Sequence, residues 1–280
     1  SFNIAVGVAA LGLNTTGFSN TAVGANTMNA NSAGTGNTAT GSSSLSANST
    51  GNFNTASGYF SLYSNTTGHT NAGFGISSLQ ENTTGFSNVA TGASALNKNT
   101  DRSNLVAIGD SSLFNNGTGA TVSTHAIKNT AVGSKALFSN TIGASNTTSG
   151  FNALYLNTTG NGNIAMGNSA LYNNTNRSYL VAVGDSALLN NGIGVGQTIE
   201  ATGNTAVGYK SLKENSTGYF NTATGYLSLA NNSTGYGNTA FGNAGLGNNN
   251  IGIHNTAAGN SALAANVSGN YNTATGSNAM

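Results

Sequence analysis

Asn204-Thr205-Ala206-Val207-Gly208 recurs with small changes along the whole chain. The glycine that ends it stands at Gly7, Gly24, Gly41, Gly58, Gly75, Gly92, Gly109, Gly133, Gly150, Gly167, Gly184, Gly208, Gly225, Gly242, Gly259 and Gly276, in steps of 17 residues apart from two of 24. Sixteen copies fill the 280 residues, so a single repeat domain is expected over 1–280, with no room for a separate catalytic domain.

With that glycine as position zero, each column of the repeat has its own chemistry. Position minus four is Asn in fourteen copies, with Leu105 and Leu180 the exceptions, and minus two is Ala in fourteen, with Gly73 and Thr148 departing. Position plus four is Leu at Leu11, Leu45, Leu62, Leu79, Leu96, Leu113, Leu137, Leu154, Leu171, Leu188, Leu212, Leu229, Leu246 and Leu263, and Met at Met28 and Met280. Position plus seven is always Asn: Asn14, Asn31, Asn48, Asn65, Asn82, Asn99, Asn116, Asn140, Asn157, Asn174, Asn191, Asn215, Asn232, Asn249 and Asn266. Position plus ten is Gly, replaced by Arg102 and Arg177.

A helix would bear two glycines and several Asn and Thr residues in every 17 at heavy cost. Short strands joined by tight turns use them well. Asn-Thr-Ala-Val reads as extended, the glycine as a turn needing positive φ, and the Ala/Ser-Leu pair as the start of a second short strand. Asn157-Thr158-Thr159-Gly160 then turns the chain back. Strand alternation puts minus four and minus two on an inner side closed by the Leu column, and minus three and minus one on an outer side. Identical residues once per coil would stack into a core ladder of Leu and a turn ladder of Asn, giving an all-β parallel β-solenoid of sixteen 17-residue coils. At about 4.8 Å per coil it would form a rod of about 75 Å. One large apolar side chain per coil contributes about 1.5–3 kcal/mol, against about 1–2 kcal/mol to fix each residue's backbone. So thin a core implies company, and the outer strand face is expected to be buried in a homotrimer.

Composition narrows the function. Charged residues are 5%, and seven bases against six acids leave no field to hold nucleic acid or an anionic membrane. No cysteine is present, and the apolar runs are too short for a membrane span or signal peptide. His69, His125 and His254 lie in different coils and turn phases without carboxylates at ligand spacing, so no metal or other cofactor is expected. No acid/base pair or partnered nucleophile emerges, and the chain reads as non-enzymatic. Thr-Ala-Thr at Thr38–Thr40, Thr222–Thr224 and Thr273–Thr275 resembles the rows of ice-binding solenoids, but Val, Ile and Phe interrupt its columns.

Two coils are longer by seven residues, with the extra length read as loop insertions within 120–128 and 195–203. Each follows a shared preface, Arg102-Ser103-Asn104-Leu105-Val106-Ala107-Ile108-Gly109-Asp110 and Arg177-Ser178-Tyr179-Leu180-Val181-Ala182-Val183-Gly184-Asp185. Arg102 and Arg177 are expected to brace the loop bases by pairing with Asp110 and Asp185 or with exposed carbonyls. His125, Lys128, Gln197 and Glu200 are the candidate partner-recognition residues, because loops on rigid scaffolds often carry recognition.

The Asn-Thr-Ala-Val-Gly-x-x-Ala-Leu pattern, as at Asn129–Leu137, resembles the head repeats of YadA-like trimeric autotransporter adhesins. It is also similar to Asn-Thr-Ala-Val-Gly-Tyr-x-Ala-Leu-x-x-Asn-Thr-Thr-Gly arrays of bacterial surface and phage-type tail-fibre proteins. The adhesin resemblance implies a trimeric left-handed parallel β-roll outside the cell. The expected function is that of an extracellular, cell-surface fibre segment giving a rigid rod for attachment or display, with a host-surface or matrix ligand as partner. A tail-fibre shaft of a virion and a structural filament assembling end to end are the alternatives. Starting and stopping inside a repeat, the chain is expected to be a segment of a longer fibre.

Overall fold

The computed structural model describes residues 2–193 and 199–280, and among these there is no helix. The chain divides into two compact units, Ser1–Ser145 and Asn146–Met280. The first holds β1 (Ile4–Val6), β2 (Thr21–Val23), β3 (Thr38–Thr40), β4 (Thr55–Ser57), β5 (Ala72–Phe74), β6 (Val89–Thr91), β7 (Val106–Ile108) and β8 (Thr130–Val132). The second holds β9 (Thr147–Ser149), β10 (Ile164–Met166), β11 (Val181–Val183), β12 (Thr205–Val207), β13 (Thr222–Thr224), β14 (Thr239–Phe241), β15 (Thr256–Ala258) and β16 (Thr273–Thr275). Within each unit every strand pairs in parallel with the next in chain order. Equivalent repeat positions face each other, as in Ala39↔Ala56 and Ala206↔Ala223. The pairs Val106↔Thr130 and Val181↔Thr205 cross the two longer steps without loss of register. The 17-residue beat is one turn of a β-solenoid.

From β2 onward each strand buries its middle residue and turns the flanking two outward, as Thr38-Ala39-Thr40 does, whereas in β1, in the first coil, Ala5 is exposed. The interior there is narrow: at Gly73, which replaces the Ala, an added Cβ would lie 2.7 Å from Ser61 Oγ and 3.5 Å from Leu62 Cδ1. Leu45, Leu62, Leu79, Leu96, Leu113, Leu137, Leu154, Leu171, Leu188, Leu212, Leu229 and Leu246 are fully buried, as is Met28. Leu263 is 8% exposed, and Leu11, in the first coil, is half-buried.

The second strand expected at Ala/Ser-Leu is absent. In its place the backbone alternates, with positive φ at plus two and plus four: Ser43 has φ 55° and Leu45 51°, and the Leu/Met column from Leu11 to Leu263 lies between 47° and 54°. The reason is burial. Positions plus three and plus four both face inward, as Ala95-Leu96 and Ala170-Leu171 do, whereas an extended chain sends neighbours to opposite sides. Left-handed residues with a Cβ cost roughly 1–2 kcal/mol each. Coil-to-coil hydrogen bonds offset this. The Leu45 N–H donates to the Ser61 carbonyl at 2.9 Å, the Ala47 N–H to Tyr63 at 3.0 Å, and the Ser43 N–H to Ala25 at 2.8 Å. The ladder thus continues through a segment that is not extended.

Two Asn columns close the interior. Asn65 donates its amide both to the Asn48 side-chain oxygen at 2.8 Å and to the Gly68 carbonyl at 2.9 Å, and accepts from Asn82 at 2.8 Å. Asn54, at minus four, donates to the same Gly68 carbonyl at 2.8 Å, while its oxygen accepts the Asn71 backbone N–H at 3.0 Å. In a regular coil the glycine carbonyl at plus ten can therefore satisfy two amides, which removes most of the penalty of carrying polar side chains inside.

Candidate functional site

Three features lie on the outside of these coils: the outer strand face, the aromatic columns and the two insertions. The strand face follows from alternation. Minus three and minus one carry only Thr, Ser, Ala, Val, Ile, Phe and Met, with no charged side chain and no amide in any coil. Val23, Phe74, Ile108 and Val132 in the first unit, and Ile164, Met166 and Phe241 in the second, lie exposed on it.

Aromatic rings stack between coils because identical columns repeat at a spacing that suits ring planes. Phe114 lies 5.2 Å from Phe138, Tyr155 5.2 Å from Tyr172, Tyr209 5.3 Å from Tyr226 and Tyr219 4.6 Å from Tyr236, all nearly parallel. His254 stacks on Tyr271 at 5.4 Å and His69 on Phe86 at 5.0 Å, so these two histidines belong to the ring columns. A second rule governs plus twelve. Wherever that position is Gly (Gly36, Gly162, Gly203, Gly237), the next coil carries Phe53, Tyr179, Phe220 or His254, whose ring occupies the place of the missing Cβ. That pairing of Gly with a ring 17 residues later is visible in the sequence itself.

At the insertions the structure shifts the boundaries. Asn116, whose equivalents bind the carbonyl three residues on, binds the Ala126 carbonyl at 2.9 Å, and Asn191 binds Ala201 at 2.9 Å. Ala126 and Ala201 thus fill the plus-ten position, and the excursions begin directly after Asn116 and Asn191, so that the first runs over 117–125. The counted length is unchanged, but Gly119 lies in the excursion and Lys128 in a regular coil. The sequence missed this because Gly119 mimics the column residue.

Arg102 occupies the glycine column one coil earlier. At a regular position such as Gly34, an added Cβ would come within 2.5 Å of Asn48 Nδ2 and of the Gly51 carbonyl. Arg102 fits because the chain after Asn116 is carried outward, and Gly117 lies against the stem of the arginine. Its Nη1 donates to the Val122 carbonyl at 2.8 Å and its Nη2 to Ala120 at 3.0 Å, while Nε lies 3.1 Å from Asp101 Oδ1. Its own carbonyl accepts Asn88 and Asn99, as the glycine's does. The side chain is 7% exposed and reaches loop carbonyls rather than Asp110.

Arg177 is buried to a similar degree, and its carbonyl accepts Asn163 and Asn174. Asp185 accepts the Ser186 hydroxyl. His125 is half-buried at the end of the first excursion, with its backbone N–H on the Val122 carbonyl at 3.1 Å; Lys128 is exposed, and Glu200 half-buried. Gln197 lies outside the described residues. Among the described residues no group of three or more His, Asp or Glu is placed to hold a metal ion, and no helix is long and apolar enough to cross a membrane. No family model matches the chain, and no match is found among curated proteins or solved structures.

Proposed function

We propose that this chain is a non-enzymatic segment of an extracellular fibre, in which three copies pack their outer strand faces together into an adhesin-head-like rod. The observation that carries the reading is the strand face itself. A face of Val, Ile, Phe, Met and Ala interleaved with Thr and Ser, free of charge and amides in every coil, is well suited to a partner with the same face. A three-residue strand at about 4.8 Å per coil offers roughly 50 Å² of flat surface, or about 400 Å² for eight coils. A stable interface takes about 800 Å² from each partner. Flanking rings such as Phe53 and Phe220, both exposed, extend the surface toward that value. The insertions, the first of them held at its base by Arg102, then serve as display loops on a stiff scaffold.

Sedimentation equilibrium tests this. The expected mass is three times 27.7 kDa, falling to one chain when Thr222→Glu and Thr239→Glu place charges on adjacent strands. A single-chain mass for the unaltered protein would overturn the assembly.

A further inference from the structure

In the unit Asn146–Met280, positions plus six and plus eight flank the buried Asn column and point outward on either side of it. They border a groove of about 500 Å³, with Asn190, Glu214, Asn231 and Asn248 along one rail, Ser216, Ser233 and Asn250 along the other, and the exposed side chain of Ile193 also lining it. That volume lies within the range of small-ligand sites.

Neighbouring side chains on each rail pair with one another. Asn190 donates to Glu214 Oε2 at 2.6 Å, Asn231 donates to the Asn248 oxygen at 3.0 Å, and the hydroxyls of Ser216 and Ser233 are 3.1 Å apart. Among the described residues no hydrogen bond crosses from one rail to the other. The Asn248 amide hydrogens, the Asn231 oxygen and the whole Asn250 amide keep their bonding capacity for something else. Asn231 and Asn248 hold each other in place, which lowers the entropic cost of binding at that pair.

The chemistry narrows the occupant. An anion would meet the Glu214 carboxylate. A cation would find a single carboxylate already paired with Lys213 at 2.6 Å. A peptide adding as a strand needs unpaired backbone groups, but here the N–H groups of Glu214, Ser216 and Asn231 already bond to Ala230, Ser233 and Gly247 in the next coil. Side-by-side amide donors and acceptors instead match vicinal hydroxyls, and the coil rise of about 4.8 Å is close to the length of one sugar ring.

We propose that this groove binds a neutral oligosaccharide, whose hydroxyls pair with the amides of Asn231, Asn248 and Asn250 and with the Glu214 carboxylate. The groove belongs to one chain, so the assignment is independent of the trimer. Titration calorimetry with maltotriose, cellotriose, xylotriose and triacetylchitotriose tests it on the full chain. At least one probe is expected to bind in the millimolar range or tighter, and N231A/N248A to weaken it about tenfold, the loss of roughly one net hydrogen bond. N243A, on a different column, should leave binding unchanged. Should the double variant misfold, N250A, whose side chain makes no bond among the described residues, reads the same loss. Binding of none of the four probes, or binding that survives these substitutions, overturns the proposal. The strand-face Glu variants, which separate the copies, are expected to retain it.

Discussion

Asn65 shows how much one side chain carries. It makes two donor bonds and accepts a third, all in a fully buried position. Asn65→Ala would strand Asn48 Oδ1 and an Asn82 amide hydrogen, and leave the Gly68 carbonyl with Asn54 as its one remaining side-chain donor. A loss of about 2–4 kcal/mol is expected from the urea midpoint, as each unsatisfied buried group costs about 1–3 kcal/mol and the partners relax in part. A loss below about 0.5 kcal/mol would mean that the ladder is decoration. Gly75 at position zero is as constrained, with φ at +125° and an added Cβ 2.6 Å from the Gly92 carbonyl, so Gly75→Ala should cost at least as much. The inward Ala, Leu and Asn columns could be read from the sequence because the interior tolerates one size at each position. The left-handed Leu could not, because Leu is a residue for which positive φ is unfavourable and only the joint burial of plus three and plus four demands it. Glu214 is held below the usual carboxylate range, first by its hydrogen bond from Lys213 and then by Asn190. Its contribution is therefore present above the ordinary Glu pKa and lost as pH falls through the lowered folded value. An NMR titration should show that lowered pKa returning toward normal in Lys213→Met.

Among elements, the insertions are the most informative. An arginine in the glycine column, a leucine in the minus-four Asn column and a seven-residue excursion occur together twice, at Arg102/Leu105 and at Arg177/Leu180. Arg102 needs the space that the excursion opens, and the excursion needs the two donors that Arg102 supplies to Val122 and Ala120. Leu105 has no amide to give the Ala126 carbonyl, which Asn116 alone supplies. Deleting 119–125 should therefore destabilise the chain when made alone, by forcing Arg102 against the regular turn. It should be tolerated when combined with Arg102→Gly, Leu105→Asn and Ala126→Gly, which restore the ordinary coil. A thermal melt of the two variants reads the difference, and equal melting would remove the coupling. Arg102→Met, which keeps the stem but not the donors, should speed proteolysis within 117–125. The bracing by carbonyls was within reach of the sequence. The position of the loop was not, since Gly119 and Ala126 compete for one column and only the Asn116 hydrogen bond decides between them.

At the scale of the molecule, within each unit every 17 residues, or 24 where the chain detours, complete one turn that stacks on the last. Periodicity sufficed for that, whereas assembly and ligand depend on outward residues that vary from coil to coil and leave no strict period to read. Distances between spin labels test the stacking within a single unit. Cysteines replacing the outward residues Ala72, Val89 and Val106, each paired in turn with one at Thr21, lie three, four and five coils away. In samples diluted with unlabelled protein, the distances are expected to rise by about 4.8 Å per coil, through roughly 14, 19 and 24 Å. Separations that fail to grow with coil number would contradict the solenoid, and with it the strand face, the braced loops and the groove.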